Sequence, residues 1–460
     1  MLVRPHMRRR IILAAVLIGG CLEAGLNQNQ QAPGNGETGV DVGIGDIAID
    51  PGGRYVFYTS GDRLQYADLV TRTHHRVKGL VDAQRFAFGP AGSGVVYAVG
   101  RPAAGEDFVL IAYHLGQSRT LWSRPVTIGF AVEGNRFSVL PWVTPTPDGG
   151  ALVVTHSMRV EVLDAARGTV RHEVALEKNV ADVDLVPGQD RVLITEWHRW
   201  NGDSPMTRIQ SLDLGTGRVI RFEVPNCSSE LVLTPDAHHA FLSPSNCRKD
   251  PVSLIDLDEN LWLRNLPGFG PVAVAPDGML AVAFLDATAV EPQLFDDPSQ
   301  IPSIESGRYH LMLIDTATLG FRTVPLGDSL PRYAITPDGH ILLVDSPSWV
   351  SDGRLRLLDV LAARMVPLTG TEDVRLENYV VTTDATRVFL LYHGLYRVDV
   401  GDARLVPVPL AFAPLNLNIT PDDRKLLLRE DDDTMWIYDI EGGRLDGSID
   451  IGPVAIAPTP

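Results

Sequence analysis

Apolar and polar residues alternate along most of the chain in short runs, such as YVFYTS from Tyr55, VLITE from Val192 and KLLLR from Lys425. A period of two sends successive side chains to opposite faces and predicts half-buried strands. The three-and-four spacing of an amphipathic helix is absent from this part of the chain. Each run is bounded by Gly, Pro, Asp or Asn, residues that break strands by presetting φ, accepting positive φ or capping backbone N–H groups.

The runs recur as a unit in which an alternating strand enters a turn of the Pro-Asp-Gly type and a second strand leaves it. The instances are IAIDPGGRYVFY from Ile47, FAFGPAGSGVVYAV from Phe86, PTPDGGALVVT from Pro145, VDLVPGQDRVLIT from Val183 and LVLTPDAHHAFLS from Leu231. VAVAPDGMLAVAF from Val272, YAITPDGHILLV from Tyr333, YVVTTDATRVFLL from Tyr379 and LNITPDDRKLLL from Leu417 complete the series. A third strand follows and ends in Asp before a short turn, at Asp164, Asp213, Asp256, Asp315, Asp359, Asp399 and Asp439; a fourth strand then returns. Four short antiparallel strands per unit predict an all-β fold, a single β-propeller of four-stranded antiparallel blades. Nine repeats imply eight or nine blades across residues 43–460, and Gly452–Pro458, which mimics Gly270–Pro276, is expected to add a spare inner strand. These repeats resemble the YVTN-type, TolB-like and WD-like units of bacterial propellers, a resemblance that carries fold alone.

The first residues have a different character. Arg8, Arg9 and Arg10 precede an apolar stretch, Ile11–Ile18, too short to span a bilayer stably, so residues 1–20 read as a secretory signal. The ending Leu17-Ile18-Gly19-Gly20-Cys21 resembles the lipobox of bacterial lipoproteins. That resemblance implies cleavage ahead of Cys21 and acylation of its thiol, with palmitate among the lipids. Leu22 at the next position implies the outer membrane. Residues 21–42, rich in Gln, Asn and Gly, read as a flexible tether.

Charge narrows the partners. The net charge is −17, and removing a signal that carries Arg4, Arg8, Arg9 and Arg10 takes it to −21. Such a surface repels phosphate backbones, so no nucleic acid is expected. The remaining cysteines, Cys227 and Cys247, are equidistant from Ala237 in the turn Pro235-Asp236-Ala237-His238. In an antiparallel hairpin they become cross-strand neighbours, and a disulfide is expected in an oxidising compartment.

Binding residues cluster on long loops held by a rigid scaffold. The loops after the second strand lengthen in repeats four to seven and carry Trp197, His198 and Trp200, then Phe295 and Asp296, then Trp349. This loop-rich face is the candidate contact surface, although such aromatics also cap blade ends. His74-His75 and His238-His239 are adjacent and point apart on a strand, Asp431-Asp432-Asp433 lacks calcium-loop spacing, and no hydrolase elbow or P-loop occurs. No catalytic, cofactor or metal set is therefore assigned. The expected function is a lipid-anchored envelope scaffold for a protein, peptide or other ligand; an envelope hydrolase, lactonase or oxidoreductase using the central channel is the alternative.

Overall fold

A computed structural model describes residues 39–41 and 47–451 except 61–62, 103–104, 106, 127–128, 131–137, 140, 157, 197–205, 226–229, 244–250, 276, 304, 306, 329, 331, 336–340, 346–355, 370–377, 385 and 432. The expectations for Cys21, Cys227, Cys247, Trp197, His198, Trp200, Trp349 and the C-terminal mimic fall outside these residues. Among the described residues, only two single 3-10 turns interrupt an all-β chain, and no helix is long and apolar enough to cross a membrane.

Alternation becomes sheet as predicted. Eight sheets have four antiparallel strands in chain order, and a ninth has the same four plus one more. Blade 1 is β2 (Ile47–Ile49), β3 (Tyr55–Ser60), β4 (Arg63–Asp68) and β5 (Thr73–Arg76). Blade 2 is β6 (Asp82–Phe88), β7 (Val95–Arg101), β8 (Val109–His114) and β9 (Arg119–Pro125), with β1 (Gly39–Asp41) added to the free edge of β6. Blades 3 to 9 follow at 143–175, 180–224, 230–266, 269–327, 332–367, 378–408 and 416–450. Nine repeats thus make nine blades. A separate two-stranded hairpin, Gly129–Phe130 with Ser138–Val139, is inserted between blades 2 and 3.

Core clusters lie between neighbouring blades. Tyr55, Phe57 and Tyr66 of blade 1 pack with Phe86, Val96 and Tyr113 of blade 2. The ring closes in the same way: Val56, Tyr58, Ala67 and Leu69 of blade 1 bury against Leu427, Met435, Ile437 and Ile449 of blade 9. Among the described residues no strand is exchanged at that seam.

Two turns per blade form one face of the ring. In blades 3, 5, 8 and 9 a buried Thr precedes the turn. Thr234 Oγ1 donates to Asp236 at 2.6 Å and accepts from His239 N at 3.0 Å, and Thr146, Thr382 and Thr420 repeat this. The turn between the third and fourth strands always holds one left-handed residue: Arg72, Ser118, Gly168, Gly217, Asn260, Leu319, Ala363, Ala403 or Gly443. An Asp caps most of these turns. Hydrogen bonds from Thr216 and Thr318 hold the Asp213 and Asp315 carboxyls below the usual carboxylate range. Side chains also reach the next blade's turn carbonyl, as Trp122 Nε1 does to Ala165 (3.0 Å), Arg191 Nη1 to Leu257 (2.8 Å) and Arg264 Nη2 to Leu319 (2.8 Å).

Candidate functional site

The first strand of each blade runs from the opposite face down to this turn face, and first strands of neighbouring blades pack on one another around the axis. Their starting ends ring the mouth of the central channel. The repeats align on the turn proline (Thr383 in blade 8), and the position five residues before it is occupied in turn by Arg85, Trp142, Asp182, Glu230, Pro271, Arg332, Asn378 and Asn416. Blade 1 has Asp46 there, outside the described residues. Where the turn end repeats, this end varies around the ring.

Neighbouring members of this collar touch. The Arg85 guanidinium lies 3.9 Å from the centre of the Trp142 ring, a cation–π contact between blades 2 and 3. Asp182 of blade 4 accepts from its own following amide, Val183 N (2.9 Å), and from Leu231 N of blade 5 (3.0 Å), beside Glu230. Asn378 Nδ2 of blade 8 donates to Asn416 Oδ1 of blade 9 at 3.0 Å.

The two carboxyls keep some contact with solvent yet are walled in by protein, as the lining of a narrow channel is. Burial pushes the Glu230 carboxyl up to about 7, with the Asp182 charge adding to it. Burial also raises Asp182, against the two amides that favour its ionised form. Among the described residues the Glu230 carboxyl has no hydrogen-bond partner. Tyr333 and Tyr379 lie deeper on the inner strands of blades 7 and 8; burial raises both phenols, Tyr379 to about 12, and the charge of Glu230 adds to the shift of Tyr333. The collar can therefore offer a neutral or ionised carboxyl pair, amides, an aromatic ring and a guanidinium to one ligand. Among the described residues no three His, Cys, Asp or Glu side chains converge as a metal-binding group.

The residues singled out on loops fare differently. The second strands end on the collar face. The long loop from Ala287 to Arg308, described except at 304 and 306, folds over the flank instead of standing up as a contact surface. Phe295 is 7% exposed and packs edge-on against Phe321, with Val290 and Ile301 closing over it. It caps a blade. Asp296 is exposed and pairs with Arg264 Nη1 of blade 5 at 2.7 Å, strapping the loop down. Glu196, at the start of the Trp197–Trp200 loop, is buried and saturated by Glu177 N (3.1 Å), Lys178 N (2.8 Å) and Gln210 Nε2 (2.5 Å), so it staples blades rather than reacts. The adjacent histidines diverge: His74 reaches the Asp450 carbonyl of blade 9 (2.6 Å), whereas His75 stacks on Tyr66. The hairpin between the cysteines is formed, its rungs from Glu230↔Ser243 to Leu233↔Ala240 centred between Asp236 and Ala237.

The collar is absent from the loop-based reading of the sequence. Its signal was available in the aligned repeats, as the one inner-strand position where Arg, Trp, Asp, Glu and Asn replace one another.

Ring and channel together define a β-propeller. No known protein family and no curated protein matches the sequence. Among solved structures the chain is similar to dihydro-haem d1 dehydrogenase NirN in complex with DHE, at 13% identity over 91% of this chain and 79% of that one, with a TM-score of 0.50. It also aligns with Kuenenia stuttgartiensis hydrazine synthase, at 18% identity over 68% of this chain and 95% of that one, TM-score 0.36. A eukaryotic initiation factor aligns at 9% identity over 89% and 91% of the two chains, TM-score 0.47. At these identities the likeness extends to fold only.

Proposed function

We propose that this protein is a lipid-anchored propeller of the bacterial cell envelope that binds a protein, peptide or other ligand at the mouth of its channel. The observation that carries the binding role is the collar, where Arg, Trp, Asp, Glu, Pro and Asn occupy one aligned position around the ring while the turns at the far end of the same strands repeat. An anchor at Cys21, in a lipobox-like sequence, supports the envelope location. Trp197, His198, Trp200 and Trp349 follow second strands that end on the collar side, at Glu196 and Asp345, and would widen the contact area. The test compares the partners retained by the detergent-extracted wild type with those retained by the Trp142→Ala, Asn378→Ala, Asn416→Ala variant. Partners lost by the variant support the collar; identical sets remove it.

The Cys227–Cys247 disulfide belongs to the same reading. The described register centres the hairpin half a residue ahead of the midpoint of the two cysteines, so joining them takes a one-residue bulge beyond Glu230 and Ser243. Mass spectrometry of the unreduced protein decides it, through the loss of two hydrogens in a peptide pair holding both residues.

A second reading has one specific observation in its favour. Asp182 and Glu230 are neighbouring, desolvated carboxyls of the kind that serve as general acid and base, and the NirN structure shows that an enzyme can be built on a similar ring. Turnover of lactone or ester substrates that is lost in Asp182→Asn and Glu230→Gln supports catalysis; turnover indifferent to both overturns it.

A further inference from the structure

The extra strand of blade 2 comes from the wrong end of the chain for a spare inner strand at the C-terminus. Gly39, Val40 and Asp41 pair antiparallel with Ala87, Phe86 and Arg85 on β6. The opposite edge of β6 is taken by β7, and β6 is the innermost of the four blade strands, so β1 lies on the channel side. Main-chain hydrogen bonding of this kind needs only an exposed strand edge and an extended segment, and a Gly-containing stretch supplies one without steric demand.

The register also gives a direction. β6 descends from Arg85 at the collar towards Pro90 at the turn face. β1 runs the other way, with Gly39 near the turn face and Asp41 level with the collar. The chain therefore enters β1 from the turn-face side.

We infer that the N-terminal segment threads the central channel from the turn face, so that a chain held by lipid on Cys21 carries its collar pointing away from the bilayer. The clause about the bilayer rests on the anchoring proposed above; the threading does not. The sequence from 22 to 38 is long enough, at roughly 20–25 Å root-mean-square for a flexible polymer of that length, to separate an anchor at Cys21 from the ring. The turn face stays off an anionic bilayer, since it presents a carboxylate at nearly every turn, including Asp68, Asp164, Asp213, Asp256 and Asp439. With β1 on the channel side, a long ligand in the channel competes with it for the inner edge of blade 2.

Two measurements on the full-length chain test the threading. In Asp41→Cys/Arg85→Cys, oxidation should join the two residues in most molecules, whereas Asp41→Cys/Asn416→Cys, which uses the same collar level on blade 9, should stay unlinked. Equal linkage in both, or none to residue 85, overturns the inference. Should the double variants fold poorly, amide exchange on the native sequence decides. A chain beginning at residue 43 should exchange faster than the full-length one along Asp82–Phe88 and equally along the other inner strands; unchanged exchange at Asp82–Phe88 overturns the inference.

Orientation is read with lipidated protein on phosphatidylcholine/phosphatidylglycerol vesicles carrying headgroup spin labels, with a fluorophore at Glu441→Cys on the turn face or Asp433→Cys on the collar face of blade 9. Severalfold stronger quenching at 441 is expected; equal or reversed quenching overturns the orientation. If Cys21→Ser leaves vesicle binding unchanged, anchoring has failed while the cross-link and exchange results still judge the threading.

Discussion

The two ends of each inner strand do different work. At the lower end, Thr146, Thr234, Thr382 and Thr420 make the same pair of hydrogen bonds, and nine third-to-fourth-strand turns each hold a left-handed residue. At the upper end, five residues before the turn proline, the side chain is a guanidinium, an indole, a carboxyl, an amide or a proline ring depending on the blade. Repetition suits a task that is the same in every unit, reversing the chain and stapling one blade to the next. Variation suits a surface that meets something asymmetric. Substitutions should divide accordingly, changing stability at one end and binding or proton affinity at the other.

The largest effect is expected at the turn end. Gly168 is left-handed (φ 69°), and a Cβ there would fall 2.8 Å from the Trp122 ring. Gly168→Val should lose about 2–4 kcal/mol in denaturant unfolding, from backbone strain and overpacking together, while the folded fraction keeps its collar partners. Full stability in this variant would break the comparison.

Glu230 tests the collar end through pH. Its native carboxyl keeps a proton up to about pH 7, whereas a glutamate in the unfolded chain ionises above about 4.3. Between these values the folded state holds the extra proton, so stability falls as pH rises through that window and the full penalty stands above it. Glu230→Gln, which cannot ionise, should unfold at higher temperature than wild type at pH 8, by a margin of order 1–3 kcal/mol, and at the same temperature near pH 4. A gain that is the same at both pH values would assign the effect to packing instead of charge.

Smaller changes sharpen the turn end further. Thr420→Val removes both bonds of a buried hydroxyl and leaves the Lys425 amide unpaired, for an expected loss of about 1–2 kcal/mol. Ala363 and Ala403 hold left-handed backbone that glycine adopts without strain. Ala363→Gly and Ala403→Gly should each gain up to about 1 kcal/mol, the relief of strain being partly offset by the greater freedom of glycine in the unfolded chain.

Architecture was legible because it is written locally. Alternation, Pro-Asp-Gly turns and strand-ending aspartates each act within a few residues, and repetition multiplied a weak signal ninefold into a ring. What the sequence concealed depends on distance. The loop bearing Phe295 looks like a free surface until Phe321 and Arg264, from other strands, pull it onto the flank. Asp182 and Glu230 stand 48 positions apart, and only ring geometry makes them neighbours. β1 has three residues, too few for any period, and sits in a stretch whose composition reads as tether.

The seam between blades 9 and 1 has a consequence for how the chain reaches its native state. Arg72 meets Asp446 across 374 positions, and Tyr58 is covered only when Leu427 and Ile449 arrive. A blade built at the start of synthesis therefore waits, one apolar side uncovered, until almost the whole polypeptide exists. Contacts of such high order are slow to form and leave the early intermediate prone to aggregation. The first-made blade depends most on a chaperone, and truncation anywhere before residue 451 should leave a sticky, open arc rather than a smaller ring.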